Sequence, residues 1–239
     1  MTLPVAILAG GLATRLRPLT EKIPKALVEV AGRPFIDHQL ALLRAQGYAR
    51  VVLCIGHLGE MIERHVGDGT REGMRISYVA DGPRLLGTGG ALRRALPQLG
   101  PAFFVLYGDS YLPCDFAAVE QAFQRARLPA LMTVLQNDNR WDRSNVIYEN
   151  GRVAVYSKKV QLEAMRYIDY GLSAMSAEIL QPRAEGEPFE LPDVFTALAE
   201  EGRLAGFEVQ ERFYEIGSSA GLAETEAYLA AHPPIRGMQ

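Results

Sequence analysis

Gly10, Gly11, Arg15 and Lys25 fall close together near the start of the chain, directly after the apolar run Val5-Ala6-Ile7-Leu8-Ala9. Glycines let a backbone approach a ligand closely, and N–H groups in such a turn form a cradle for an anion. Arginine adds a planar fork of positive charge and lysine a point charge. This set suits a polyphosphate, above all a leaving pyrophosphate whose growing negative charge such cations stabilise. The Gly-Gly pair alone would equally suit an ordinary strand–loop–helix corner. The spacing is neither GxGxxG nor GxxxxGK[ST], so the dinucleotide fold and the P-loop are set aside. No dinucleotide loop supports a nicotinamide dehydrogenase.

A second group of chemical residues follows another apolar run, Phe103-Phe104-Val105-Leu106-Tyr107-Gly108-Asp109-Ser110. A strand fixes position, glycine gives clearance, and Asp109 offers a hard oxygen ligand suited to Mg²⁺. An Asp after a strand also serves as a turn residue or helix cap. Between the two groups lies Leu86-Gly87-Thr88-Gly89-Gly90-Ala91. It is rich in small residues, and Thr88 could cap a helix there. Tyr107 sits where it could line the same crevice or pack.

These residues need elements to position them. Val5–Leu8 reads as a first strand, Pro34–Gln46 as a helix ended by Gly47, and Val51–Ile55 as a second strand. Gly59–His65 begins a helix, Arg75–Val79 is a short strand, Gly90–Ala95 starts a helix, and Phe103–Tyr107 is a central strand. This alternation predicts an α/β fold with a mostly parallel, doubly wound, Rossmann-like sheet. Open sheets of this kind bind ligands beyond the carboxyl ends of their strands, where the glycine loop and Asp109 both fall. After about residue 128 the pattern turns β-rich. Ala130–Leu135, Asn145–Glu149, Val153–Tyr156 and Tyr167–Met175 read as strands, with a hairpin turn at Glu149-Asn150-Gly151-Arg152. Phe195–Glu201 and Ser219–Ala231 read as helices. The reading is one domain over 1–231, with a nucleotide portion at about 1–128, a small β-rich portion at about 129–218, and a flexible tail at 232–239.

Bulk properties bound the partners. With 239 residues, 48% hydrophobic and 22% charged, the chain can bury one large core. A net charge of −3 gives no support for nucleic-acid binding. Cys54 and Cys114 form no CxxC pair, so neither a zinc site nor a disulfide framework is expected. No stretch reaches membrane-spanning length and the N-terminus lacks a signal-like pattern, which makes a cytoplasmic protein the expectation.

The string from Leu8-Ala9-Gly10-Gly11 through Thr14-Arg15-Leu16-Arg17-Pro18-Leu19-Thr20, then Pro24-Lys25 and Val30-Ala31-Gly32-Arg33-Pro34, resembles the signature of the sugar-1-phosphate nucleotidylyltransferases. Ala13 stands where that family usually has glycine. The resemblance implies an enzyme that joins an NTP and a sugar 1-phosphate into an NDP-sugar and releases pyrophosphate. It is nearest to mannose- or heptose-1-phosphate guanylyltransferases, with GTP slightly favoured. Uridylyltransferases of N-acetylmuramic acid 1-phosphate, or of a related hexose 1-phosphate, share the short architecture, and a catalytically silent nucleotide-sugar sensor is a further alternative.

By the same resemblance, Leu8, Ala9, Gly10 and Gly11 with Gly87, Thr88 and Gly89 bind the nucleotide. Arg15 stabilises the leaving pyrophosphate and Lys25 contacts the α-phosphate. Asp109 and Glu215, the latter in Phe213-Tyr214-Glu215-Ile216-Gly217 where the family commonly has Asp, hold Mg²⁺. The family's Glu-Lys-Pro is replaced by Ser157-Lys158-Lys159, leaving Lys158 for the sugar phosphate. Asp169, in place of an Asn, falls with Gly171 in the later sugar motif, and Asn145 is a further candidate for a sugar hydroxyl. Base, sugar and pathway stay open, and so does homo-oligomerisation.

Overall fold

The computed structural model describes residues 2–12, 14–16, 18–70 and 73–232. Ala13, the one departure in the glycine loop, and tail residues 233–239 lie outside the described residues. In chain order the elements are β1 (Val5–Ala9), β2 (Glu29–Val30), β3 (Arg33–Pro34), α1 (Phe35–Ala45), β4 (Arg50–Ile55), α2 (Gly59–Val66), β5 (Arg75–Ala80), α3 (Gly87–Leu99) and β6 (Ala102–Tyr107). There follow β7 (Ser110–Tyr111), α4 (Phe116–Ala126), β8 (Ala130–Gln136), β9 (Val146–Glu149), β10 (Arg152–Tyr156), β11 (Tyr167–Ser176), α5 (Leu191–Glu200), β12 (Leu204–Val209), β13 (Tyr214–Glu215) and α6 (Ser219–Ala231).

Nine strands form one sheet in the order β5-β4-β1-β6-β11-β8-β12-β10-β9. β5, β4, β1 and β6 run parallel, with Val5 opposite both Val51 and Phe104. From β11 onward pairing is mostly antiparallel, apart from the parallel β8–β12 pair. The β-rich half therefore continues the same sheet. Strand alternation sorts the core onto two faces. Val5, Ile7, Phe104 and Leu106 point to the face covered by α1, α2 and α4, through Ile36, Leu40, Ile62, Phe116 and Val119. Ala6, Val52, Phe103 and Val105 point to the opposite face, covered by α3 and α5 through Leu92, Leu96, Leu99, Phe195 and Leu198. Such side chains contribute about 1.5–3 kcal/mol each on burial. A smaller cluster of Val28, Val30, Phe35, Ile216 and Leu229 anchors α6 to the small β2–β3 ribbon.

Several local expectations shift. α3 begins at Gly87, ahead of the expected start, and Thr88 does not cap it. Six elements went unmarked by the sequence reading: α4, β12 and the two-residue strands β2, β3, β7 and β13. Asn150 and Gly151 take φ of 51° and 76°, which gives the β9–β10 hairpin its tight turn. Ser218 caps α6, its hydroxyl accepting from Gly221 N at 3.1 Å. His232, the first residue of the expected flexible tail, stacks on Tyr228 at 4.3 Å.

Candidate active site

β1 and β6 are neighbours, so the loops after them open side by side. Their approach is close. A Cβ on Gly108 would lie 2.7 Å from the Leu8 carbonyl oxygen, and Gly108 N donates to that oxygen at 3.0 Å. Glycine at this position is thus a packing requirement that places Asp109 at the strand end. Gln39 of α1 braces the turn, its amide donating to the carbonyls of Tyr107 and Ser110 at 2.9 and 2.8 Å.

Asp109 accepts from the Lys25 ammonium at 2.9 Å, with both side chains about three-quarters or more buried. Glu215 arrives from far along the chain. The β13–β7 pairing sets it opposite Ser110, and Ile216 N donates to the Asp109 carbonyl at 2.9 Å. Burial and then the Asp109 charge push the Glu215 carboxyl upward, against the pull of Arg15. Two carboxylates facing one another are the hard-oxygen set a divalent ion takes. Among the described residues no cluster of three or more His, Cys, Asp or Glu groups could hold a metal ion. Asp109 and Glu215 are hard oxygen donors that could hold a divalent ion.

Two cavities meet at Tyr107 and Asp109. The first, about 590 Å³, is lined by Leu8, Ala9, Gly10, Gly11, Lys25, Gly87 and Thr88, together with Asp81 and Glu190. A Cβ on Gly11 would meet nothing within 4 Å, so its backbone is open to a ligand. Gly87 has φ of 70° and would drive a Cβ to 2.6 Å from Glu190 Oε1. Thr88 spends its hydroxyl on the wall, donating to Glu190 at 2.7 Å and accepting from Leu191 N at 2.8 Å. Gly89 differs from its neighbours. It is buried, a Cβ there would come within 2.3 Å of the Phe189 ring, and it does not line the cavity. Its small size serves packing between α3 and the segment before α5.

The second cavity, about 400 Å³, brings together Asn145, Lys158, Asp169 and Gly171 with Arg15, Asp109 and Glu215. Arg15 lies on this side, 3.2 Å from the Cβ position of Gly217 beside Glu215. Asp169 accepts from Gly171 N at 3.0 Å and from the Tyr156 hydroxyl at 3.3 Å. Burial raises its carboxyl above the usual range, countered by Lys158. Asn145 accepts from Asp169 N at 2.9 Å, which makes it part of the wall that fixes Asp169. Gly171 has φ of 103° at a bulge in the β11–β8 pairing, and this re-aims the strand. The Lys158 ammonium sits over the Tyr107 ring at 5.2 Å.

Asp81 and Glu190 were not foreseen from the sequence. Asp81 is 6% exposed yet lines the first cavity, and burial raises its carboxyl. Each is a single acid in an irregular segment, with no spacing to mark it.

An open α/β sheet with two cavities that meet at Asp109, beyond the carboxyl ends of its parallel strands, is the architecture of a ligand-binding α/β protein. The chain belongs to the nucleotidyl transferase family, whose match covers residues 5–213. It is 30% identical over 218 residues to mannose-1-phosphate guanyltransferase beta-B of Xenopus laevis, covering 88% of this chain and 60% of that protein. The chain thus spans about 60% of the length of the first such relatives. It is 29% identical over 234 residues to N-acetylmuramate alpha-1-phosphate uridylyltransferase of Caulobacter vibrioides, covering 94% and 96% of the two chains. The fold matches the crystal structure of HddC from Yersinia pseudotuberculosis complexed with GMP-PN, with a TM-score of 0.79 at 22% identity, over 95% of this chain and 100% of that one. No helix among the described residues is long and apolar enough to cross a membrane.

Proposed function

We propose that this chain transfers a nucleotidyl group from an NTP, GTP favoured, to a sugar 1-phosphate. The observation that carries the reading is the meeting of two cavities at Asp109, one cradled by Gly10, Gly11 and Lys25, the other walled by Lys158, Asp169 and Asn145. The nucleotide takes the first cavity and the sugar phosphate the second. A sugar-phosphate oxygen attacks the α-phosphorus in line, one P–O bond forms, the α–β bond breaks, and pyrophosphate leaves. The attacking oxygen is already anionic, so no enzyme nucleophile is needed, and positioning and charge supply the catalysis.

Asp109 and Glu215 would hold a divalent ion, and Mg²⁺ bound there would supply positive charge to the reacting phosphates. Lys25 contacts the α-phosphate once it leaves Asp109, and Lys158 holds the sugar phosphate. Arg15 is exposed on the glycine loop, and its role requires it to turn from Glu215 to the departing pyrophosphate.

GTP is favoured by Asp81. Guanine presents N1–H and N2–H₂ side by side, and a carboxylate accepts from both. Uracil offers one N–H between two carbonyls, which a carboxylate repels. The second reading, uridylyl transfer to N-acetylmuramic acid 1-phosphate, draws support from the nearly end-to-end likeness to the Caulobacter relative. A silent sensor is disfavoured by the presence of Arg15, Lys25, Asp109 and Glu215 together.

The test is pyrophosphate release across ATP, CTP, GTP, UTP and dTTP, each with mannose, heptose, glucose, N-acetylglucosamine and N-acetylmuramic acid 1-phosphates, with Mg²⁺ and with chelator. A Mg²⁺-dependent signal confined to GTP with one sugar phosphate is the expected result. UTP with N-acetylmuramic acid 1-phosphate alone would select the second reading, and silence would sink both.

A further inference from the structure

The segment of residues 137–145 forms one wall of the sugar-side cavity through Asp142, Arg143, Ser144 and Asn145. Its internal bonds are dense. The Asn137 amide donates to the Asp142 carbonyl at 2.7 Å and the Ser144 hydroxyl at 3.0 Å, and Ser144 N donates to Asn139 Oδ1 at 2.9 Å. These fix the shape of the wall but not its distance from the reacting phosphates. Gln161 donates to Asn139 at 3.0 Å, and Arg166 lies 3.8 Å from Asp138. Both ties run to the segment that includes Lys158, another wall of the same cavity.

The link to the opposite side passes through Trp141. The Arg212 guanidinium lies over the Trp141 ring at 5.1 Å and over the Tyr214 ring at 4.7 Å. It is aimed by Glu224, which accepts from it at 2.6 Å, and by the Phe213 carbonyl, which accepts from its Nε at 3.2 Å. Tyr214 is in turn stacked on Tyr228 of α6 at 3.9 Å. Tyr214 immediately precedes Glu215, and Phe213 lines the cavity. One cation thus joins the wall at 142–145 to the strand that carries a proposed metal ligand. A planar guanidinium can stack on both rings, whereas an ammonium cannot.

We infer that Arg212 is a positioning residue for the sugar 1-phosphate, clasping Trp141 so that the wall at Asp142–Asn145 stands at a fixed distance from Asp109 and Glu215. The inference rests on the assignment of the second cavity to the sugar phosphate. Trp141 is the chain's single tryptophan and is 38% exposed, so its fluorescence reports on the clasp.

The experiment uses the full chain, Mg²⁺, and the NTP and sugar 1-phosphate that give the highest turnover in the array above. Arg212→Ala is expected to raise KM for the sugar phosphate roughly three- to tenfold, the scale of a lost cation–π contact. KM for the NTP should not move, and Trp141 emission should shift to the red as its ring gains water. Arg212→Lys should fall between the two, because it keeps the charge without the planar stack. Trp141→Ala should match Arg212→Ala, with no further loss in the double variant. This exposed position carries the test should Arg212→Ala fail to fold. An unchanged sugar KM in a folded variant, or additive losses in the double, overturns the clasp and leaves the reaction standing. Silence of the unsubstituted protein across the array overturns the reaction and the positioning role with it.

Discussion

Charge at single residues decides the proposed chemistry, and two substitutions test it. Asp109→Ala removes the proposed metal ligand and the partner of Lys25 while disturbing no core position. Turnover should fall by about a hundredfold or more, on the scale seen when one electrostatic stabiliser of a transition state is removed. Circular dichroism should be unchanged; near-normal activity would remove the metal assignment. Asp81→Asn tests the base. The amide offers donors where the carboxylate offered none, so the preference for GTP over UTP should collapse while turnover persists. The same variant has a pH signature. Burial raises the Asp81 carboxyl above 3.8, so the unfolded state ionises first as pH rises. Stability is then fully present below 3.8 and is lost as pH climbs through the folded value. Asp81→Asn should therefore gain thermal stability over the unsubstituted chain at pH 8 and lose that advantage toward pH 4. Melting curves across that range check the sign. Gly10 and Lys25 were legible because their string is long and specific, whereas the short Gly-Asp of Asp109 carried weight only beside that string. Glu215 was legible only by resemblance, since a lone acid has no pattern. Asp81 and Glu190 were not legible at all, because only the fold brings them to the cavity.

Elements explain why some of those motif residues are what they are. Gly108 reads as a clearance residue beside a metal ligand. Its stronger constraint is the approach of β1 to β6. Gly108→Ala would set a methyl 2.7 Å from the Leu8 carbonyl oxygen, and neither strand can yield without disturbing the sheet centre. The expected cost is about 1–3 kcal/mol, as for overpacking in a core. Urea melts should show a lower midpoint, and a midpoint equal to that of the unsubstituted chain would remove the constraint. Gly11→Ala, facing open space, should leave the midpoint nearly unchanged. Alternation and apolar runs made the parallel strands readable, and Asn150-Gly151 made the hairpin readable. The start of α3 was hidden because Gly87, Gly89 and Gly90 are poor helix formers. That turn of helix is held by tertiary bonds instead, with Gly89 N and Gly90 N donating to the Phe189 carbonyl. The pairing partners of β12 rest on contacts distant in sequence, which local patterns do not carry, whereas α4 had a local signal that went unread, the Asp115 cap followed by Phe116, Val119 and Phe123 at helical spacing.

At the scale of the molecule, the Lys25–Asp109 ion pair couples the two ligands of the proposed reaction. The ammonium lies 2.9 Å from the carboxylate oxygen that a divalent ion would need. A metal ion binding alone must displace it and leave a part-buried Lys25 without a partner. A nucleotide binding alone draws Lys25 toward its phosphate and leaves Asp109 facing Glu215 without a cation. Each ligand therefore removes the obstacle to the other, which is positive coupling in the thermodynamic sense. A ligand at about a hundred times its Kd stabilises by ~2.7 kcal/mol. For a domain of this size that corresponds to a rise in Tm on the order of 5–10 °C. The expected pattern is a small shift with Mg²⁺ alone, a small shift with GTP and chelator, and a joint shift larger than their sum. Lys25→Ala should increase the shift with Mg²⁺ alone, because Asp109 and Glu215 are then free to take the ion. Additive shifts in the unsubstituted chain, or no gain for Mg²⁺ in Lys25→Ala, would show that Lys25 does not gate the acidic pair.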